Sequence, residues 1–173
     1  MENKPLVNRV AASGLITINL EDFYPTDDIV VFDIKDYLFR ELILKEKDFR
    51  KALKEIDWSD YSEKILLISC SANAIIPLWA YMLITAYASP FARDIFQGTE
   101  TEYIKKFFSE AIQKIDVKKY ENQLLIIKGC SKKTVPPSGY VELTKKLQPI
   151  ARSIMFGEPC STVPIYKKRK LAD

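Results

Sequence analysis

Residues 65–88 read ILLISCSANAIIPLWAYMLITAYA, and this stretch decides the fold class. Its first residues are apolar without alternation, which predicts a strand buried on both faces of a sheet. Cys70-Ser71 and a short loop follow, and Pro77 lies where the first turn of a helix can accept its missing N–H. Residues 74–84 are apolar throughout but too few to span a bilayer. They predict a buried helix, with a homodimer contact as the alternative for part of its surface.

A second stretch repeats the same order of features. An apolar strand at residues 124–127 leads into Lys128-Gly129-Cys130-Ser131, and Pro137 then precedes another amphipathic helix. The likeness is either an old duplication or the ordinary pattern of a strand followed by a helix. Buried strands alternate with amphipathic helices again around residues 49–56 and 104–115, which predicts an α/β protein.

We predict one domain over residues 1–173, built as a mixed sheet of about four to six strands with helices packed on it. The apolar positions within residues 140–154 predict one helix with a kink or break at Pro149. Residues 158–173 are expected to form an extended C-terminal tail over the surface.

The composition bounds the class of protein and of partner. A chain that is 47% apolar and 28% charged has the balance of an ordinary globular protein. The net charge of +3 is mild and no long basic stripe accompanies it, so no nucleic-acid partner is expected. The N-terminus MENKPLVNRV carries an acidic residue and lacks the apolar core of a signal peptide. We therefore expect a cytoplasmic protein without a membrane segment, whose thiols are reduced.

The chain has three cysteines, each followed by serine, and no histidine. Cys70 and Cys130 come directly after predicted strands and before predicted helices, where the helix dipole would favour the thiolate. Cys160 lies between Pro159 and Pro164 in a loop of restricted backbone. The absence of histidine excludes the Cys-His and Ser-His-Asp arrangements of nucleophilic catalysis, and the sequence assigns no reaction.

Three thiolates in one site would suit zinc or an iron–sulfur cluster. Cys70, Cys130 and Cys160 are the candidate ligands, and Asp33, at a predicted strand end, or Glu158 would supply a carboxylate oxygen. The Cys-x-x-Cys spacing of stable structural zinc sites is missing. The alternative is a protein without metal or other cofactor, in which the thiols are small buried hydrophobes or are redox-reactive.

Three blocks of the chain carry a resemblance to a known family. Residues 70–81 read CSANAIIPLWAY, residues 128–131 read KGCS and residues 153–164 read SIMFGEPCSTVP. These blocks resemble a bacterial family of unknown function, number 2480 in the domain-of-unknown-function series. The resemblance carries no established activity and no catalytic residue. Because genes of this family tend to lie beside sulfur-mobilisation (SUF-type) iron–sulfur assembly genes, it implies iron–sulfur assembly proteins as partners.

These observations lead to two hypotheses. The first is an accessory protein in iron–sulfur cluster or metal handling that uses the three cysteines. The second is a metal-free homodimeric protein-interaction module with structural or redox-reactive thiols. The distances among the three sulfurs distinguish them, because thiolates on one zinc ion lie within about 4 Å of each other.

Overall fold

The computed structural model describes residues 14–129 and 132–169, which divide into two compact units. The inserted unit is residues 25–104, and the split unit takes the described residues on either side of it. The strands are β1 (Leu15–Asn19), β2 (Ile29–Asp33), β3 (Ile65–Ser69), β4 (Asp94–Gln97), β5 (Leu124–Lys128), β6 (Ser153–Glu158) and β7 (Ser161–Lys167). The helices are α1 (Glu46–Glu55), α2 (Leu78–Ala88), α3 (Glu100–Gln113) and α4 (Pro137–Leu147).

In the inserted unit, β2, β3 and β4 form a parallel sheet with β3 in the centre. Residues 65–68 of β3 are all buried, as the unbroken apolar run predicts. Helices α1 and α2 pack on this sheet, and the core cluster they form with the strands includes Phe32, Phe49, Leu53, Leu66, Ile68, Ala80 and Ile84. Because the strands are parallel, their carboxyl ends meet at one edge, where Asp33 ends β2 and Ser69 ends β3.

In the split unit, the strand order is β1-β5-β6-β7. The first three strands are parallel, and β7 returns antiparallel to β6. Leu125 and Ile126 of β5 and Leu143 and Leu147 of α4 are buried. The predicted α/β class is therefore confirmed, and so is a mixed sheet with helices packed on it. The prediction was one sheet, and the three-stranded sheet of the inserted unit is a second one.

The C-terminal part of the chain differs from the sequence prediction. Helix α4 ends at Leu147, and Ile154 lies in β6, so the prediction of one helix over residues 140–154 is wrong. Of the two outcomes predicted at Pro149, a kink or a break, the break is correct, because proline lacks an N–H and clashes with the preceding turn. The expected tail at 158–173 includes β7, whose backbone pairs with β6.

Helix α2 is buried along one side only. Ala80, Ile84 and Ala88 are fully buried, whereas Leu78 is 80% exposed and Met82 is 73% exposed. The prediction of a buried helix is therefore correct for one face and wrong for the other. No helix within the described ranges is long and apolar enough to cross a membrane.

The two units repeat one architecture. In the inserted unit, β3 begins at residue 65 and α2 at residue 78, and in the split unit β5 begins at 124 and α4 at 137, 59 positions later in both cases. The single-turn 3-10 helices that precede these strands, Trp58–Tyr61 and Val117–Tyr120, follow the same spacing. Both α2 and α4 have a proline as their N-cap, and both end on a residue that bonds back to a threonine carbonyl.

The two units also share capping residues and turns that are not needed merely to connect a strand to a helix. Asp57 and Asp116 each cap the 3-10 helix before the second strand, and each accepts from the backbone N–H two residues later. Glu63 and Asn122 occupy equivalent turns in the two units and have φ values of 59° and 55°. At the first strands, Asn19 and Asp33 likewise accept from the N–H two residues on. These shared caps and turns favour duplication, with one copy inserted into the other after its 3-10 helix Leu20–Phe23.

Candidate functional site

The carboxyl edge of the inserted unit holds two of the predicted site residues, Asp33 and Cys70. The Asp33 Oδ1 atom accepts from the backbone N–H of Lys35 at 2.9 Å and from that of Ser71 at 3.0 Å. This second bond joins the end of β2 to the loop that follows β3. The Cys70 thiol is half-buried and donates to the carbonyl oxygen of Ala72 at 3.6 Å. The loop at residues 71–77 separates Cys70 from α2 along the chain, so Cys70 is not itself part of the helix.

The electrostatics of this edge favour an ionised Asp33. Burial opposes the charge, but interactions with the side chain and backbone of Ser71, and with Lys35, outweigh it and lower the pKa of Asp33. Burial also raises the pKa of Tyr81 on α2, and the neighbouring Cys70 adds to that shift. The hydroxyl of Tyr81 therefore stays protonated at neutral pH.

The corresponding edge of the split unit is built from different side chains. Lys128 at the end of β5 forms an ion pair with Glu158 at the end of β6, with its Nζ 3.1 Å from Oε2. Glu21 accepts from the backbone N–H of Lys132 at 3.0 Å and so anchors the loop after β5. A methyl group on Gly129 would lie 2.8 Å from the hydroxyl of Tyr140, which shows how closely α4 approaches the strand end.

The three cysteines differ in their surroundings. Cys160 is exposed in the turn between β6 and β7, two residues after Glu158. Cys130 lies outside the described residues. Cys70 belongs to the inserted unit and Cys160 to the split unit. Within residues 14–129 and 132–169, no group of three or more Cys, Asp or Glu side chains is arranged to hold a metal ion. The predicted ligand set of Cys70, Cys130, Cys160, Asp33 and Glu158 stays a prediction.

The structural repeat places the Cys-Ser pairs one residue out of register. Cys70 is 59 positions before Gly129, whereas Cys130 is 59 positions after Ser71. Tyr81 and Tyr140, by contrast, are equivalent at this spacing, and each lies against its strand-end loop. Aligning the two segments by their cysteines pairs Pro77 with Pro137, whereas the 59-residue offset makes Pro136 the equivalent of Pro77.

The fold and this site define an α/β protein of two like units with polar loops at the ends of parallel strands. The chain belongs to the family described as Protein of unknown function (DUF2480), which matches residues 4–168. No curated protein matches the chain, and no solved structure does.

Proposed function

We propose that the protein is a homodimeric interaction module that associates through the exposed face of α2. The observation that carries this proposal is an apolar stripe of Leu78 and Met82 on α2 and Ile75 in the loop before it, of which Ile75 is 94% exposed. Soluble proteins rarely leave neighbouring large apolar side chains in water unless the patch binds something. Two smaller exposed residues, Ala86 and Ser89, continue the stripe and would let another backbone approach closely.

A second copy of the chain is the partner that fits this stripe best. No charged residue occurs between Lys64 and Arg93, although 28% of the whole chain is charged. In a two-fold interface the same patch meets itself, so a charge close to the two-fold axis would lie near its own copy, which carries the same sign. A face without charge avoids that repulsion. A partner bound by charge complementarity would find no group there to pair with.

Introducing a charge into the stripe tests the proposal. We expect the wild type to sediment as a dimer at micromolar concentration and Met82→Glu to sediment as a monomer. Val141 is the matched control, because it occupies the equivalent position on α4 and is 66% exposed. Val141→Glu should leave the dimer intact. A monomeric wild type, or equal disruption by both variants, would refute the assignment.

Iron–sulfur or metal handling through the cysteines is the second candidate function. One observation favours it: the Lys128–Glu158 ion pair holds the end of β5, which leads into Cys130, beside the end of β6, whose hairpin carries Cys160. Neighbouring strand ends are a usual place for ligand sites in α/β proteins. Iron–sulfur assembly proteins are the partners this function would need. Zinc is the alternative occupant, since it also prefers thiolates.

Anaerobic reconstitution with iron and sulfide tests this function directly. The expected result is a visible charge-transfer absorption with stoichiometric iron, lost in the triple Cys→Ser variant. Zinc titration in parallel distinguishes a cluster from a simple thiolate site. A protein that stays colourless and binds neither iron nor zinc more tightly than the triple variant would exclude the function. The dimer test above is independent of that outcome.

A further inference from the structure

The split unit contains an open cavity of about 250 Å³ between α4 and the sheet. Strands β5, β6 and β7 form its floor, and one side of α4 forms its wall. Ile165 reaches it from β7, and Tyr140 and Thr144 reach it from α4. The cavity lies within one unit, and the described residues that line it include no charged side chain.

The cavity exists because β7 extends the sheet beyond the helix that covers it. Helix α4 buries Ile127 of β5 and Ile154 of β6, but Ile165 of β7 remains 52% exposed. Phe156, at the border between covered and uncovered sheet, is 41% exposed. The inserted unit has no strand equivalent to β7 beside its β4. The cavity is therefore a feature that the split unit has added to the shared architecture.

The walls of the cavity are suited to an aromatic ring. The rings of Tyr140 and Phe156 meet edge to face, with centroids 5.7 Å apart and planes at 75°. A further ring stacked on this pair would continue a favoured arrangement. Ile127 and Ile154 add aliphatic surface beside this ring pair. Thr144 is one of two residues on this lining with a polar side chain, the other being Tyr140.

From this geometry we propose that the cavity binds a neutral, planar aromatic molecule of one or two rings. A cavity of about 150 Å³ with apolar walls is large enough for benzene, so a larger one accommodates a fused pair of rings. A charged ligand is disfavoured because it would lose its hydration without gaining a partner. This site is separate from the α2 stripe, which lies on the inserted unit.

Titration of the full-length protein with indole, followed by NMR chemical shifts, tests the proposal. We expect saturable binding at one site with a dissociation constant between about 0.1 and 1 mM. Ile165→Trp should weaken binding at least about tenfold, because the larger side chain fills the cavity. Lys167→Trp on the same strand is the matched control, since Lys167 is exposed and pairs with Ser153, on the opposite face of the sheet from Ile154 and Phe156.

A second variant separates loss of the site from loss of the fold. Ile165→Lys places a charge at the mouth of the cavity on a side chain that is already half exposed, so it should fold and still bind indole poorly. Shifts that do not saturate up to about 5 mM indole would overturn the proposal. Equal weakening by Ile165→Trp and Lys167→Trp would overturn it as well.

Discussion

The carboxylate of Asp33 ties the end of β2 to the loop that carries Cys70. Two backbone N–H groups donate to the same oxygen, one from Lys35 and one from Ser71. We expect Asp33→Asn to lower the free energy of unfolding at pH 7 by about 1 kcal/mol, because an amide oxygen is a weaker acceptor than a carboxylate. Denaturant titration at pH 7 measures this difference.

The effect of Asp33→Asn should depend on pH in a defined direction. Because the pKa of Asp33 is lowered on folding, its contribution is fully present above the unfolded pKa of about 3.9. It is lost as the pH falls through the folded pKa, so the two proteins should converge in stability toward pH 2. Asp36→Asn removes an exposed carboxylate three residues away and should change stability by less than about 0.5 kcal/mol. Equal effects of the two substitutions at pH 7 would contradict this account.

Gly129 is required by close packing at the end of β5. A Cβ there would lie 2.8 Å from the hydroxyl of Tyr140 and 3.0 Å from a methyl group of Val135. We expect Gly129→Ala to cost about 1–3 kcal/mol of unfolding free energy through overpacking. Removing the hydroxyl with Tyr140→Phe should recover part of that loss in the double variant. Strictly additive losses would show that the hydroxyl is not the obstacle.

At the scale of elements, the β6–β7 hairpin depends on Gly157. Its φ is +120°, and a Cβ would lie 2.5 Å from the backbone oxygen of Ser161 across the hairpin. We expect Gly157→Ala to lower the free energy of unfolding by at least about 2 kcal/mol. Neither the backbone strain at Gly157 nor the clash with Ser161 can be relieved without breaking the pairing of β6 with β7. Gly14→Ala is the control for backbone strain alone: its φ is +64° with no atom within 4 Å, and it should cost about 1 kcal/mol. A cost for Gly157→Ala no larger than this control would contradict the steric argument.

The sequence predicts individual elements better than it predicts where they end. The unbroken apolar runs correctly identify β3 and β5. The same apolar periodicity misleads at Ile154, since its spacing suits a helix while pairing with β5 makes it a strand. Periodicity describes one segment at a time and cannot register the competing partner strand.

At the scale of the whole molecule, the repeat is difficult to recognise in the sequence because one unit interrupts the other. Strand β1 pairs with β5 across the entire inserted unit, so the two halves of one sheet are separated by residues 25–104. The order of strands along the chain suggests one continuous sheet, which is why two sheets were not predicted.

For the candidate site, the sequence correctly predicts that Asp33 ends a strand and that Cys70 follows one. It does not predict the Asp33–Ser71 bond or the Lys128–Glu158 pair, because both join residues at least 30 positions apart.

The proposed dimer also predicts how the stability of the whole molecule depends on concentration. Binding between folded copies stabilises them by mass action, so the midpoint of thermal unfolding should fall on dilution. For a cooperative dimer of this size the shift should be about 2 °C for each tenfold dilution. Scanning calorimetry across a hundredfold range of concentration measures it. Met82→Glu should unfold at a midpoint independent of concentration, while Val141→Glu should keep the wild-type dependence. A wild-type midpoint that does not change would mean that the α2 stripe forms no stable interface between copies of this chain.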